Sequence, residues 1–246
     1  MHNTIETVMY VVRHGETDYN RDGVYQGTLD IPLNENGRWQ ALSLARKIAS
    51  IPVHAIYSSP LIRARETTAA IVREMRRTCV YTRVKSSPPT KHLPFKKIPD
   101  VITLTELQEF SYGSWQGLTH EERQQLDPTL HHEWRTDPWN VRFPEGESLD
   151  DAMRRIMDPL DSLLIRHRGE TILISGHGHV NRLILMYLCN IERNKFWDIQ
   201  QPNGCCYRIV ITYAGTPKQI MQDLSARSAH HSNLNDIINV TYERFV

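Results

Sequence analysis

The chain has 246 residues, of which 40% are hydrophobic and 23% are charged, a composition that is ordinary for a globular protein with a substantial core. Its formal net charge of +1 provides no overall field that would recruit nucleic acid or an anionic membrane, so attraction for an anion must be local. No stretch approaches the roughly 20 apolar residues of a membrane span. Length and composition therefore favour a globular protein with neither a nucleic-acid nor a membrane partner.

Cysteine usage bears on the cellular compartment. The four cysteines form no CxxC pair, and Cys205 and Cys206 are adjacent. This pattern is typical of free thiols in a reducing compartment rather than of a disulfide framework. The first residues, MHNTIETVMYVV, contain no basic leader or cleavage site and run directly into an apolar segment. The sequence therefore predicts a cytoplasmic location.

In the first third of the chain, apolar runs of strand length alternate with helical patterns. Residues 7–13 are predicted to form a strand, and residues 36–50 a helix with its apolar side chains on one face. Residues 55–58 read as a second short strand, after which Pro60 begins a helix that extends to about residue 75. The pattern is typical of strand-helix units packed side by side.

The same alternation returns after residue 148. Residues 148–166 are the longest predicted helix, opened by a variant capping box in which Ser148 precedes an acid by three positions. Residues 171–175 form a buried strand, followed by an apolar helix near 180–189 and a late strand at 207–213. We therefore predict a single α/β domain over residues 1–246, with three layers, a mainly parallel sheet, helices on both faces and a small helical cap over the site.

Two segments interrupt this alternation. Residues 85–99 are rich in Pro and Lys and are predicted to be a surface excursion, while residues 119–147 suggest short helices. We expect segments 85–103 and 118–147 to cover the site and to set specificity. The lysines of the first segment either solvate a loop or attract a second acidic group of a substrate. The tail after residue 214 gives a weak signal, and its two adjacent histidines read as exposed polar chain.

Three predicted strands end on cationic or reactive side chains. The first strand leads into Arg13 and His14, the second into the helix that carries Arg63, and the third into His177 and His179. Because ligands of open α/β sheets bind beyond the carboxyl ends of strands, we expect these side chains to converge. Such a cluster of cations is costly unless an anion fills it. The pattern predicts an anion site.

The residue types at these strand ends suit phosphate in particular. An arginine fork matches the geometry of phosphate oxygens, and a neutral imidazole can attack phosphorus to form a covalent phosphohistidine. Gly15 and Gly178 would let the backbone approach a ligand closely. The apolar strand that stops on Arg-His-Gly is therefore interpreted as presenting a nucleophile beside its charge clamp.

In these motifs the sequence resembles the histidine phosphatase superfamily, which includes the cofactor-dependent phosphoglycerate mutases. The resemblance spans roughly residues 8–213 and rests on the separated motifs RHGETDYN, SSPLIRARETT, LQEFSYGSWQG and ISGHGHVNR. By position in these motifs, the resemblance implies that His14 is the nucleophile, Glu109 the proton donor and His177 a second active-site histidine. It also implies that phosphate is bound by Arg13, Asn20, Arg63 and His177. Substrate contacts are implied at Gln26 and Gly27.

The resemblance also implies a reaction. A small phosphorylated metabolite would be hydrolysed through a phosphohistidine, with Glu109 first protonating the leaving alkoxide and then activating water. No metal and no cofactor is expected, because cationic side chains neutralise the phosphate charge. SYGSWQGLTHEE and the short PEGES run resemble the phosphatase branch. The oligomeric state is left open, a homo-oligomer included.

Several alternatives stay open at this stage. A mutase would transfer the phosphoryl group instead of hydrolysing it, and a phospho-ligand-binding module would keep the pocket without the chemistry. His177 and His179 could form a metal pair with help from the His131-His132 dipeptide. Glu106, one helical turn before Glu109, is the rival for the proton donor.

Overall fold

The computed structural model describes residues 5–85, 98–213 and 238–246. These ranges contain one six-stranded sheet with the strand order β3-β2-β4-β1-β5-β6. Its strands are β1 (Ile5–Arg13), β2 (Ala55–Ser58), β3 (Val101–Thr103), β4 (Thr171–Gly176), β5 (Cys206–Tyr213) and β6 (Ile238–Arg244). A single domain over residues 1–246 stays a prediction, since residues 1–4, 86–97 and 214–237 lie outside the described ranges.

The sheet is mainly parallel. Strands β3, β2, β4 and β1 run in the same direction, whereas β5 is antiparallel to β1 and β6 is antiparallel to β5. In this register Arg13 lies opposite Gly176, and Ser58 lies opposite Ser175. The carboxyl ends of β1, β2 and β4 therefore lie side by side at one edge of the sheet.

Helices cover both faces of the sheet, which confirms the predicted α/β architecture. They are α1 (Asp18–Arg21), α2 (Glu35–Ile48), α3 (Ile62–Lys85), α4 (His120–Leu126), α5 (Pro128–Thr136), α6 (Leu149–Arg166) and α7 (Gly178–Cys189). Helices α2 and α3 pack on one face through Leu44, Ile48 and Ile71. Helices α6 and α7 pack on the other face through Ile156 and Leu183.

The continuous apolar run of β1 follows from this sandwiching. Met9 and Val11 point into the core beside α6 and α7, whereas Tyr10 and Val12 belong to the core beside α2 and α3. A strand that is buried on both faces is apolar on both, so its sequence shows a continuous apolar run instead of alternating apolar and polar residues. The run ends where the strand leaves the core, and that is where the charged residues begin.

The predicted capping box at Ser148 is present, and a second capping box opens α4. The Ser148 hydroxyl accepts a hydrogen bond from the Asp151 backbone N–H, and the Asp151 side chain accepts one from the Ser148 backbone. Thr119 and Glu122 make the same reciprocal pair at the start of α4. Helix α6 also contains Pro159 without ending there.

The structure differs from the predicted elements at the end of one helix and in two additional strands. Helix α3 runs to Lys85 rather than ending near residue 75, because no Gly or Pro interrupts it before the Pro-rich segment. The end of segment 85–103 is β3, an exposed strand at the edge of the sheet, and residues 86–97 lie outside the described residues. Strand β6 was not predicted, and the paired histidines at 230–231 also lie outside the described residues.

The structure gives two facts that relate to the predicted compartment. All four thiols are unpaired, and Cys205 and Cys206 are buried. Within the described ranges, the helices are each too short or too polar to cross a bilayer.

Candidate active site

The carboxyl ends of three strands bring the predicted site residues together. His14 directly follows β1, Ser59 directly follows β2, and His177 follows β4 as the N-cap residue of α7. The ring centroids of His14 and His177 are 5.1 Å apart, with an angle of 61° between the ring planes. The predicted convergence of two histidines that are distant in sequence is therefore confirmed.

His14 is held in one tautomer. Its Nδ1 atom lies 2.6 Å from the carbonyl oxygen of Gly15, which can only accept a hydrogen bond, so Nδ1 carries the proton. The other ring nitrogen, Nε2, therefore keeps its lone pair. Burial, together with the charge of Arg63 and the neighbouring His177, lowers the pKa of His14 well below its usual value of 6.5. The imidazole is neutral at neutral pH and can act as a nucleophile.

Gly15 has a different role from the one expected. A Cβ atom at this position would lie only 2.2 Å from the carbonyl oxygen of Gly37 in α2, so the close approach is to a neighbouring backbone. The Gly15 N–H donates to the Thr67 hydroxyl at 3.2 Å. The glycine thus anchors the His14 loop between α2 and α3. Gly178, in contrast, does line the cleft.

His177 lies behind His14 and is fully buried, with 0% of its surface exposed. Its Nε2 atom is 2.7 Å from the hydroxyl of Ser59, which itself accepts a hydrogen bond from the Leu61 backbone. We assign the Ser59 proton to Nε2, which leaves Nδ1 protonated and without a partner among the described residues. Burial and the charge of Arg63 lower the pKa of His177 well below 6.5. The side chain does not contribute to the cleft wall.

Two arginines, the buried Arg63 and the half-buried Arg13, lie beside the histidines. Arg13 donates from Nη1 to the carbonyl oxygen of Gln201, and Arg63 donates at 2.7 Å to the carbonyl oxygens of Gly27 and Leu29. The Nε atoms of both arginines are buried and have no partner among the described residues. Burial lowers the pKa of Arg63 to about 10, so it stays cationic at neutral pH. Buried cations with unused donors are what an anion needs.

The remaining predicted binding residues lie along the same cleft, which has a volume of about 200 Å³. The Asn20 side-chain oxygen accepts from Asn203 Nδ2 at 3.1 Å, and the Gln26 side-chain oxygen accepts from the Thr17 hydroxyl at 2.8 Å. Both amide oxygens are thereby occupied, which leaves the amide nitrogens as donors. Gly27 has a φ of +51°, and a Cβ there would lie 2.0 Å from Gln116 Oε1.

Glu109 places a carboxylate at the start of α7. Its Oε1 accepts from the backbone N–H groups of Phe110 at 2.9 Å and Val180 at 3.3 Å, and its Oε2 accepts from that of His179 at 3.3 Å. Burial alone would raise the pKa of Glu109. The interactions with His179, His177 and the Phe110 backbone outweigh burial and hold that pKa well below its usual value of 4.5. Glu109 is therefore ionised at neutral pH.

The two glutamates that compete for the donor role are separated by the geometry. Glu109 lines the cleft, and Glu106 does not. Arg155 Nη1 instead donates to the backbone carbonyl oxygens of Glu106 at 2.6 Å and Gln108 at 3.0 Å, and Arg155 also pairs with Glu147 at 2.8 Å. This ion pair fixes the segment that carries Glu109.

Sequence reasoning missed an aromatic wall of the cleft. Tyr112 and Tyr25 stack with their ring centroids 4.1 Å apart, and both line the cleft. The Arg123 guanidinium lies 3.5 Å from the centroid of the Tyr25 ring, and Trp134 Nε1 donates to the Tyr25 hydroxyl at 2.9 Å. Segment 118–147 thus supports the wall from behind and does not line the cleft itself. Tyr112 lies in the motif of Glu109, and that proximity was the available signal.

His179 also lines the cleft, on the first turn of α7. Its Nδ1 atom is 2.9 Å from the Tyr112 hydroxyl and 3.8 Å from Glu109 Oε2. His177 contacts Ser59 instead, and His131 lies 3.3 Å from His120 in a separate pair. The described ranges contain no group of three or more His, Cys, Asp or Glu side chains arranged to hold a metal ion. The alternative metal pair therefore gains no support from the geometry.

A mainly parallel α/β sheet with a buried Arg-His anion site at its carboxyl edge defines the class of the protein. The chain belongs to the histidine phosphatase superfamily (branch 1), whose family model matches residues 9–83 and 93–223. The resemblance found in the sequence motifs is thereby confirmed.

Similar proteins include both phosphatases and mutases. Phosphoserine phosphatase 1 of Hydrogenobacter thermophilus is 30% identical over 197 residues, which cover 80% of this chain and 81% of that protein. The 2,3-bisphosphoglycerate-dependent phosphoglycerate mutase 2 of Arabidopsis thaliana is 31% identical over 211 residues, which cover 81% of this chain and 63% of the plant protein. The structure of mycobacterial glucosyl-3-phosphoglycerate phosphatase Rv2419c superposes with a TM-score of 0.67 at 25% identity, covering 85% of this chain and 91% of that one. The chain is thus a phosphatase-like or phosphoglycerate mutase-like enzyme.

Proposed function

We propose that the protein is a metal-independent phosphomonoesterase that hydrolyses a small phosphorylated metabolite through a covalent phosphohistidine on His14. The observation that carries the proposal is the state of His14. Its proton is held on Nδ1 by the Gly15 carbonyl, so the Nε2 lone pair is available beside the buried Arg63 and the half-buried Arg13. The low pKa of His14 keeps this nitrogen unprotonated.

In the first step, the phosphate dianion enters the cleft and binds to Arg13 and Arg63. Their unpaired Nε–H groups supply donors for its oxygens, whereas His177, which does not line the cleft, supports His14 from behind. The Nε2 lone pair of His14 attacks phosphorus in line, and the bond between phosphorus and the ester oxygen breaks. The product of this step is an alkoxide and a phosphohistidine.

Glu109 supplies the proton that the alkoxide needs. Without a bound anion its carboxyl is ionised, but the negative charge of a phosphate dianion beside it disfavours the carboxylate and raises its pKa. Glu109 therefore takes up a proton when the substrate binds, and this proton passes to the leaving oxygen. The resulting carboxylate then takes a proton from water, and this water hydrolyses the phosphohistidine.

Phosphoryl transfer is the second candidate function, because the Arabidopsis thaliana phosphoglycerate mutase 2 is 31% identical to this chain. A mutase must keep its phosphohistidine away from water until a second hydroxyl accepts the group. Segment 118–147 packs behind Tyr25 instead of lining the cleft, which supports hydrolysis. A phospho-ligand-binding module is disfavoured because a neutral His14 and a nearby carboxylate serve no purpose in binding alone.

The deciding experiment follows the fate of the phosphoryl group. The purified full chain, in a chelator and without bisphosphoglycerate, is incubated with a panel of phosphorylated metabolites. We expect release of inorganic phosphate from at least one small ester and no rate increase on adding Mg²⁺. Efficient interconversion of 3- and 2-phosphoglycerate, followed by phosphorus NMR, would replace hydrolysis by transfer. Tight binding without turnover would support the binding module.

The cytoplasmic location, the lack of a nucleic-acid or membrane partner, and the oligomeric state stay predictions.

A further inference from the structure

Arg182 is a third arginine of the cleft and has no role in the chemistry proposed above. It lies on α7 one helical turn after Gly178, and residues at this spacing share a helix face. A Cβ atom on Gly178 would be 3.5 Å from the guanidinium carbon of Arg13. Arg182 therefore lies beside the phosphate site, at a distance that a small metabolite can span.

The Arg182 guanidinium is fixed on one edge and unused on the other. Its Nε donates to the carbonyl oxygen of Ile199 at 2.9 Å, and its guanidinium carbon lies 5.3 Å from the ring centroid of Trp197 and 5.5 Å from that of Phe196. Its terminal amino groups have no hydrogen-bond or ion-pair partner among the described residues. An arginine that is held in place by its neighbours loses little entropy when it binds an anion.

The charges of the cleft leave room for a second anionic group. Arg13, Arg63 and Arg182 contribute three positive charges, and Glu109 is the one carboxylate among the described lining residues. When Glu109 is protonated to act as the acid, the phosphate dianion neutralises two of these charges. One positive charge is left, which matches a single carboxylate on the substrate better than a second phosphate dianion.

The same charge count disfavours an ammonium group on the substrate. Three arginines repel a cation, and the one carboxylate that could pair with it, Glu109, already accepts backbone hydrogen bonds from Phe110 and Val180.

We propose that Arg182 forms a second anion subsite, and that the preferred substrate is a phosphate monoester of a small hydroxy acid whose carboxylate pairs with the free edge of this arginine. The inference rests on the proposed phosphatase function and names its substrate class. It does not depend on the lysines of segment 85–103, for which both a solvated loop and an attraction for an acidic substrate were left open, since the cation here belongs to α7.

The test compares two esters that share a three-carbon primary phosphate and differ in one group. 3-Phosphoglycerate carries a carboxylate where glycerol 3-phosphate carries a hydroxymethyl group. We expect the wild type to release phosphate from 3-phosphoglycerate with at least about tenfold higher kcat/KM, and to prefer it to phosphoserine. Arg182→Gln should lower kcat/KM for 3-phosphoglycerate about 10- to 100-fold, mainly through KM, and change that for glycerol 3-phosphate less than about threefold.

Two further variants separate charge from packing. Arg182→Lys keeps the charge but loses the fork and should fall between the wild type and Arg182→Gln. Arg193→Gln is the matched control, because Arg193 also lies over an indole ring, 4.3 Å from the centroid of Trp139, yet it is exposed and outside the cleft. It should leave both substrates unaffected.

The outcomes distinguish the subsite from the proposed function. Equal losses on both esters, a wild type without preference for the carboxylate, or a preference for phosphoserine would overturn the subsite while hydrolysis stands. Failure of the wild type to release phosphate from any ester, 4-nitrophenyl phosphate included, would overturn the function itself. If Arg182→Gln does not fold, the wild-type preference and the Arg182→Lys variant decide the question by the same criteria.

Discussion

Two buried histidine clusters lie at opposite ends of β4 and differ in how their ring nitrogens are used. At the amino end, His167 has both nitrogens paired, Nε2 with the Tyr57 hydroxyl at 2.7 Å and Nδ1 with Glu170 at 2.8 Å. At the carboxyl end, His177 Nδ1 is buried without a partner among the described residues. The neighbouring His14 keeps Nε2 free at the cleft.

The comparison shows how a structural histidine differs from one that awaits a ligand. A buried polar group without a partner costs about 1–3 kcal/mol, so such groups persist where function requires them. The His167 cluster contributes stability because its hydrogen bonds are complete. The His14 cluster has unused donors on Arg13 and Arg63 as well. We therefore expect substitutions at one end to change activity and substitutions at the other to change stability.

The largest effect should come from His14→Ala. Removing the nucleophile should lower the rate of phosphate release at least about 10³-fold, because neither Arg13 nor Arg63 can replace the attacking nitrogen. The thermal unfolding midpoint should change little. Phosphate release measured alongside a melting curve checks both statements, and normal turnover by this variant would show that another group attacks phosphorus.

Glu109→Gln should have the next largest effect, and the effect should depend on the leaving group. For an alkyl phosphate, whose alkoxide needs a proton, we expect kcat/KM to fall about 10²- to 10⁴-fold. For 4-nitrophenyl phosphate, whose phenolate leaves without help, the loss of kcat/KM should be far smaller. A similar loss of kcat/KM on both substrates would contradict the donor role of Glu109.

Arg63→Gln should lower kcat/KM about 10²- to 10³-fold by removing a phosphate donor. It should also shift the pH profile, because Arg63 helps to lower the pKa of His14. Protonation removes the attacking lone pair, so the rate falls as the pH falls through that pKa. In the wild type this acid limb should lie well below pH 6.5, and in Arg63→Gln it should move to higher pH.

The control for this shift is Arg65→Gln, an exposed position on the same helix. Its pH profile should match that of the wild type. An acid limb that stays in place after Arg63 is removed would mean that Arg63 does not set the protonation state of His14.

The smallest effect on activity should follow His167→Gln. This change breaks the paired network at the far end of β4, and we expect the free energy of unfolding to drop by about 1–3 kcal/mol, as measured by urea denaturation. The kcat/KM of the folded enzyme should stay within about twofold of the wild type. A stable variant with strongly reduced turnover would break the contrast between the two clusters.

Much of the fold could be predicted because its central elements carry strong local signals. Strands β1, β2, β4 and β5 are apolar runs of ordinary length, and α6 opens with a capping box. Strand β3 has three exposed residues, too few to show a periodicity, and β6 is an edge strand in a weakly patterned tail. Edge strands are defined by the neighbour they pair with, which sequence reasoning does not see.

The site divides in a similar way. His14, Arg63 and His177 lie at strand ends, so topology alone brings them together. Tyr25 and Arg182 reach the cleft through contacts between distant segments, such as Arg123 on Tyr25 and the Ile199 carbonyl on Arg182. No local spacing announces such contacts. Arg182 even ends the motif ISGHGHVNR, but the motif gives it no role, and its role in substrate selection is a proposal from the structure.

The most direct test of the phosphohistidine at His14 is to trap it. The Glu109→Gln enzyme with 4-nitrophenyl phosphate should form the intermediate without a proton donor and hydrolyse it slowly, so a stable phosphoenzyme should accumulate. After an alkaline quench, we expect mass spectrometry to find one added phosphoryl group on His14, labile to acid and absent when His14 is also replaced by Ala. A phosphoryl group on a different residue, or no phosphoenzyme despite slow turnover, would contradict attack by His14.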